Sequence, residues 1–315
     1  MDAIAAELGS WWGPLAAENR ARLGLDVQIS PADDPEHRTL GWAYPQERYS
    51  RAVVPIPAAR PGERRPLWLA TPLEARTTGP VVVVSDPASL SRWVRTARIA
   101  WKRIEPWMDR PARPITVEIA PDNAALTAAL AGEAGEFAEA AAVTSTPDGS
   151  AAADAPIHVF LDASQARPGS RAAAVLLAHE LVHALTRSPL HPEAPIWWRE
   201  GYADYVAFAA GGIRPAVAER GLGAGPRRLP HRLPSDPGFE QHPAWAYPAA
   251  RTAVAILVDQ GMPGWSESRI ASALARIDQR LSGGEPVGEV LAQESELDLA
   301  GLTRSWRKRL QHWHP

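Results

Sequence analysis

Two histidines four residues apart are the feature of this sequence best suited to binding a metal ion. His179 and His183 belong to a His-Glu-Leu-Val-His segment inside a run rich in Ala, Leu and Val. Residues four apart share one helix face, so both imidazoles can reach one ion, while Glu180 is turned toward the position of a bound water. Imidazole and carboxylate ligands in a tetrahedral arrangement suit Zn²⁺, with the fourth position left for that water. The spacing therefore predicts one zinc ion per chain and Glu180 as a general base beside it.

The third ligand is expected from the next apolar segment, where Glu200 and Asp204 are again four residues apart. The chain contains no cysteine, so His, Asp and Glu are the available ligands. We assign Glu200 to the metal. We assign Asp204 to the free ring N–H of His179, because such a bond fixes the tautomer and orientation of a ligand histidine. Two neutral histidines and one carboxylate leave the zinc site with a net positive charge, which favours deprotonation of the bound water near neutral pH.

Two helices are needed to position these side chains. The first is predicted over 170–187, with Ser170 as its cap and Ser188-Pro189 as its stop, and the second over 195–210. Strands are predicted at 81–84, 115–119, 140–145 and 157–161, and further helices at about 90–107, 121–130, 246–260, 266–281 and 296–311. Strands and helices thus interleave up to residue 162 and helices dominate afterwards, which predicts an α+β protein with a helical second half.

Composition narrows the classes of protein that this chain can be. It has 315 residues and a formal net charge of −3, so it lacks the electrostatic footprint of a nucleic-acid-binding protein. No run of 18 uncharged apolar residues occurs, which predicts no membrane span. The first 25 residues lack the pattern of a secretory signal, which indicates a cytoplasmic protein. An exported or membrane-anchored protein whose leader or anchor had been removed would give the same pattern.

The segments at 179–183 (His-Glu-Leu-Val-His) and 198–204 (Trp-Arg-Glu-Gly-Tyr-Ala-Asp) together resemble the gluzincin metallopeptidases, and within them the bacterial peptidase MA-like domains. The resemblance implies a zincin-like, thermolysin-type domain over 81–315, with a sheet-containing upper part, a helical lower part and the active cleft between them. Residues 1–80 lie outside the resemblance, and we interpret them as a small N-terminal α+β segment of unknown role.

The resemblance also implies a reaction. Its substrate would be a peptide or protein, hydrolysed by a zinc-activated water with Glu180 as general base and then general acid. Tyr247 is the best positional match to the downstream tyrosine that stabilises the tetrahedral intermediate in such families. The peptide is expected to add as a strand to a sheet edge, supplied by 140–145 or 157–161. The Gly-x-Met-Glu-Asn type of segment that aminopeptidases use for the substrate amine is absent, which favours an endopeptidase.

Other candidates and one alternative function accompany this interpretation. Trp197 and Trp198 adjoin Glu200 and are positioned to wall a cleft, and His242 is a candidate substrate-facing donor. The Gly-, Pro- and Arg-rich segment 211–242 is a candidate lid. The alternative is a catalytically inactive zinc-binding scaffold or partner-recognition module with a peptidase fold. The intact Glu180 favours the enzyme, because a structural zinc site gains nothing from an unliganded carboxylate beside the metal.

Overall fold

Most of the chain from residue 73 onward is described in a computed structural model. The described residues are 53–54, 73–108, 114–130, 140–146, 151–152, 154–213, 219, 222–223 and 230–313. Most of the predicted N-terminal segment and a large part of the candidate lid therefore lie outside the described residues. The described structure is mixed α+β, which confirms the predicted class at that level.

The chain divides into two compact units. The first comprises residues 1–98, 110–150 and 156–174, and the second comprises 99–109, 151–155 and 175–315. Six strands form one sheet in the described part of the first unit, in the order β1-β2-β3-β4-β6-β5. Their bounds are β1 Val53–Val54, β2 Leu73–Thr78, β3 Val81–Ser85, β4 Ile115–Ala120, β5 Ala142–Ser145 and β6 His158–Asp162.

The centre of the sheet is parallel and its margins are antiparallel. Strand β4 pairs in parallel with β3 and β6, whereas β1–β2, β2–β3 and β5–β6 are antiparallel pairs. Every residue of β4 and β6 is buried, as expected for parallel strands covered on both faces. Strand β5 lies at one end of the described sheet, while β6 has a partner on each side. Of the two strands considered for peptide addition, β5 therefore lies at the margin of the described sheet.

Strands β2 and β3 form a tight hairpin. Thr78 pairs with Val81, so Gly79 and Pro80 alone make the loop. Gly79 has a φ of 59°, in the left-handed region that glycine adopts without steric cost. The residues on either side of the domain boundary predicted at residue 80 thus belong to one hairpin.

The helices follow the predicted order. Their bounds are α1 Pro87–Ile104, α2 Asn123–Ala129, α3 Arg171–Thr186, α4 Ile196–Ala210, α5 Asp236–Gln241, α6 Pro243–Gly261, α7 Glu267–Ser282, α8 Val287–Glu294 and α9 Leu299–Gln311. Helices α4 to α9 all belong to the second unit. Among the described helices, none combines the length and the apolar character needed to cross a membrane.

Helix α6 is the centre of the second unit. Its buried face packs most extensively against α4 and also contacts α5 and α9. The indole of Trp306 on α9 donates a hydrogen bond to the carbonyl of Ala249 at 2.8 Å. At Gly201 on α4 the two backbones come so close that an added Cβ would lie 2.6 Å from the carbonyl oxygen of Ala250. Glycine is therefore required there for this helix spacing.

Candidate metal centre

Helix α3 carries the His-Glu-Leu-Val-His segment. Its first turn is capped by Ser170, whose hydroxyl accepts a hydrogen bond from the Ala173 N–H at 3.0 Å. The helix ends at Thr186, because Arg187 takes a left-handed conformation with φ 56° and a 3₁₀ turn follows at Ser188–Leu190. The predicted range of 170–187 is thus correct to within one residue at each end. The helix is apolar on most sides, so its polar site residues are buried as well.

Helix α4 presents Glu200 and Asp204 because two aromatic residues anchor it. The Trp198 indole donates to Asp278 Oδ1 on α7 at 3.0 Å, and its ring stacks on Tyr202 with centroids 5.4 Å apart. Both aromatic residues are almost completely buried. The carboxylates are half-buried, and Asp204 lies one turn beyond Glu200 on α4.

Three ligand atoms converge between these helices. The Nε2 atoms of His179 and His183 are 2.9 Å apart, and Glu200 Oε2 lies 3.4 Å and 3.3 Å from them, respectively. Three atoms bound tetrahedrally to zinc at its usual bond lengths are about 3.3 Å from one another. The three residues are the set of His, Cys, Asp and Glu side chains in the described part of the chain that could hold a metal ion. Donor chemistry and spacing both fit zinc.

The hydrogen bond between His179 and Asp204 supports the same arrangement. His179 Nδ1 lies 2.8 Å from Asp204 Oδ1, which is the contact expected from the sequence. An ionised carboxylate only accepts hydrogen bonds, so Nδ1 carries the proton. In the neutral ring, Nε2 then presents its lone pair to His183 and Glu200, as a metal ligand must.

Electrostatics in the cluster favour a positive charge. Burial lowers the pKa of His179, but the hydrogen bonds to Asp204 and Glu200 and their negative charges outweigh it, so the pKa is raised well above its ordinary value. For Glu200, burial raises the pKa, yet the neighbouring histidines lower it far below the usual range. A cation placed among these groups therefore meets an ionised carboxylate and a polarised imidazole.

Glu180 and Tyr247 complete the group around the ligands. Glu180 is buried on α3, and its negative charge raises the pKa values of both His179 and Tyr247. Tyr247 lies near the start of α6, with its ring centroid 6.4 Å from that of His179 and 5.0 Å from that of Phe239. Tyr247 is 38% exposed, and the partial burial of its phenol raises its pKa, which the charges of Glu200, Glu180 and Asp204 raise further. The phenol is therefore a permanent O–H donor at neutral pH.

The surroundings of the remaining sequence candidates differ from one another. His242 is exposed at the junction of α5 and α6. Trp198 is 0% exposed and Trp197 is 5% exposed, so both indoles serve packing of the second unit rather than a cleft wall. Sequence reasoning did not identify Phe239, which packs against Tyr247, or Asp278, which holds Trp198. Neither residue lies at a fixed sequence spacing from the His-Glu-Leu-Val-His segment, because both belong to helices that are distant from it in sequence.

Comparison with known proteins adds no relative. No protein-family model matches the chain, and no curated protein matches it either.

Proposed function

We propose that this protein is a zinc-dependent peptidase of the gluzincin type, in a zincin-like domain. The observation that carries the proposal is the convergence of His179, His183 and Glu200 within bonding range of one ion. A second carboxylate, Glu180, and a phenol, Tyr247, stand beside them. A purely structural zinc site has no use for these two additional groups, since four ligands would close it.

His179, His183 and Glu200 would hold the zinc ion. When bound, the zinc would supply a Lewis acid that polarises the scissile carbonyl and makes water a nucleophile near neutral pH. Asp204 keeps the His179 ring in the orientation and tautomer that this requires, through the 2.8 Å hydrogen bond.

Glu180 is the group that moves protons in this proposal. Its carboxylate adjoins the ligand set without belonging to it. It accepts a proton from the attacking water and delivers that proton to the departing amine, so the peptide C–N bond breaks without expelling an amide anion. Tyr247 donates its hydroxyl proton in a hydrogen bond to the oxyanion of the tetrahedral intermediate. The substrate is a peptide or protein chain, and the absence of an amine-binding segment favours cleavage within the chain.

The test combines metal content with peptide cleavage. Elemental analysis is made on wild type, His183→Ala and Glu180→Gln, and all three are incubated with a broad peptide library. Wild type and Glu180→Gln should each contain one zinc per chain, and His183→Ala much less. Cleavage should fall by about 10²- to 10⁴-fold or more in Glu180→Gln. The exposed Glu289→Gln on α8 is the matched control and should cleave like wild type.

Two results would contradict the proposal. Zinc bound in wild type with no cleavage beyond the Glu180→Gln background would favour the inactive zinc scaffold. Protein that takes up no zinc even when zinc is added would exclude both the peptidase and the scaffold.

A further inference from the structure

A cavity lies in the second unit, beside the C-terminal end of α3. Its volume is about 390 Å³, within the range of small-molecule sites, which is about 300–1,000 Å³. None of the ligand residues His179, His183 and Glu200 lines it. The buried part of its wall includes Trp107, Tyr202 and Asp278, while Ala275, Gln279 and Gly283 on its rim are exposed. The cavity therefore opens to solvent and has an acidic and aromatic interior.

Asp278 is the charged group inside this cavity. The residue is 9% exposed, and Trp198 is the one described side chain that donates a hydrogen bond to it, to Oδ1. No described Lys, Arg or His forms an ion pair with it. The nearest basic residues in sequence are engaged elsewhere, because Arg276 pairs with Glu294 and Arg280 with Glu285 and Glu294. One carboxylate oxygen thus remains to receive a donor from the cavity.

A buried carboxylate without an opposite charge beside it raises the free energy of the folded protein. Burial raises the pKa of Asp278 to about 6, and the Trp198 hydrogen bond and the His183 charge only partly oppose it. The carboxylate is therefore mostly ionised at neutral pH. Proteins normally pair a buried charge with an opposite charge or neutralise it by a change of protonation. A cationic ligand from solution is therefore the partner that the Asp278 carboxylate favours.

Part of the wall suits the non-polar portion of such a ligand, although the lining also includes the polar Thr186, His191, Gln279 and Ser282. Trp107 stands edge-on to Tyr205, with ring centroids 5.8 Å apart, and its own side chain is 9% exposed. The Met108 sulfur accepts a hydrogen bond from the Tyr202 hydroxyl at 3.5 Å, which holds the thioether in the wall. Aromatic rings attract ammonium and guanidinium groups, and a helix C-terminus such as that of α3 favours positive charge.

We propose that this cavity binds a small organic cation, an alkylammonium or guanidinium group whose charge faces Asp278 and whose alkyl arm lies against Trp107 and Met108. The cation is either a free amine or a basic side chain of a polypeptide. The cavity shares no lining residue with the His179, His183 and Glu200 set, and the proposal does not depend on peptidase activity.

Isothermal titration calorimetry on the full chain tests the proposal with n-butylammonium chloride against n-butanol, its neutral counterpart of the same shape. Wild type should bind the cation at least about tenfold more tightly than the alcohol, because only the cation makes a charge-assisted hydrogen bond. Asp278→Asn keeps an acceptor for Trp198 and should remove that preference. The exposed Glu289→Gln, which removes one negative charge outside the cavity, should bind like wild type.

A second variant covers the case in which Asp278→Asn does not fold. Ala275→Trp places a bulky side chain at an exposed rim position and should block the cation without touching the carboxylate. Equal affinity of wild type for the cation and the alcohol would overturn the proposal, as would full affinity in either cavity variant. A lysine-containing pentapeptide with blocked ends distinguishes the sources. Tighter binding than n-butylammonium identifies a polypeptide side chain, and weaker binding identifies a free amine, both at this site.

Discussion

Three carboxylates near the two histidines differ in role because each contacts different atoms. Glu200 Oε2 lies within 3.4 Å of both histidine Nε2 atoms and is the proposed metal ligand. Asp204 Oδ1 contacts His179 Nδ1 and is the proposed positioning residue. Glu180 belongs to neither contact, although its charge acts on His179 and Tyr247. In the proposed site, the same functional group would thus serve metal binding, ligand orientation and proton transfer according to its place on α3 or α4.

Replacing Asp204 by alanine should weaken zinc binding. The variant loses the acceptor for His179 Nδ1–H, so the ring can rotate or change tautomer, and zinc affinity should fall about 10- to 100-fold. Asp204→Asn keeps an oxygen acceptor and should lie between wild type and Asp204→Ala. Competition with a chromophoric chelator measures all three affinities. An unchanged affinity in the alanine variant would mean that Asp204 does not orient the ligand.

Replacing Tyr247 by phenylalanine should slow catalysis without loss of zinc. Loss of one oxyanion donor lowers kcat by about 10²- to 10³-fold, while KM changes little. The phenyl ring retains its packing against Phe239, so the free energy of unfolding should hardly change. Tyr205→Phe is the matched control. Tyr205 is also a partly buried tyrosine, with a pKa raised to about 12 by burial, but its described ring contact is with Trp107 and not with the metal-site residues. Steady-state kinetics on one cleaved peptide gives kcat for both variants. Equal kcat values in Tyr247→Phe and Tyr205→Phe would mean that the Tyr247 hydroxyl does not stabilise the oxyanion.

The close packing of helix α4 on α6 brings Glu200 and Tyr247 to the same place. Gly201 directly follows Glu200, the proposed ligand, and the backbone of Ala250 occupies the space where a side chain at position 201 would be. Ala246, Ala249, Ala250 and Ala253 on α6 are all buried, so small residues continue on the opposing helix. A wider separation of α4 and α6 would move Tyr247 away from His179, because Tyr247 is part of α6.

Replacing Gly201 by alanine should destabilise the protein. Alanine raises helix propensity by about 1 kcal/mol, but the new methyl group meets backbone atoms at 2.6 and 2.8 Å that cannot move separately. Overpacking of this kind costs about 1–3 kcal/mol or more, so the clash outweighs the propensity gain. Gly288→Ala on α8 has no atom within 4 Å of the new Cβ and should leave stability unchanged or slightly higher. Urea denaturation compares the two, and equal stabilities would refute close packing at Gly201.

The stability of the second unit should depend on pH through Asp278. Its pKa rises from 3.8 to about 6 because folding buries the carboxylate. The folded state therefore binds more protons than the unfolded state between these values, so the free energy of unfolding falls as pH rises across this window. The contribution is fully present below about pH 3.8 and is lost above about pH 6. Two pKa units correspond to about 3 kcal/mol.

The variant Asp278→Asn isolates this contribution. The asparagine cannot titrate. Between pH 4 and pH 7 the free energy of unfolding of the variant should therefore rise by about 2–3 kcal/mol relative to that of wild type. Urea unfolding followed by circular dichroism, with chelator present in every sample, gives both pH profiles. Parallel profiles over this range would show that Asp278 is not held in a buried environment.

Local sequence patterns were sufficient for most of the described elements. The predicted strands at 81–84, 115–119, 140–145 and 157–161 agree with β3, β4, β5 and β6 to within two residues, because apolar runs bounded by turn residues determine strands locally. Helix α6 begins at Pro243, three residues before its predicted start, since proline is accommodated at the first helical position. The short helices α5 and α8 were not predicted. Six and eight residues hold too little periodicity, and Pro237 and Gly238 in α5 favour a turn.

The sequence by itself determined the candidate ligands, because four-residue spacing on a helix places side chains on one face whatever the surrounding fold. His179 and His183, and likewise Glu200 and Asp204, follow from that periodicity alone. The resemblance named Tyr247 by position, but only the tertiary structure decided how residues from other helices pack around these ligands. Tyr247 comes to the cluster because α4 and α6 pack at Gly201, and Trp198 is directed into the core by Asp278, 80 residues away in sequence. Such contacts depend on packing between helices, for which no local period in the sequence exists.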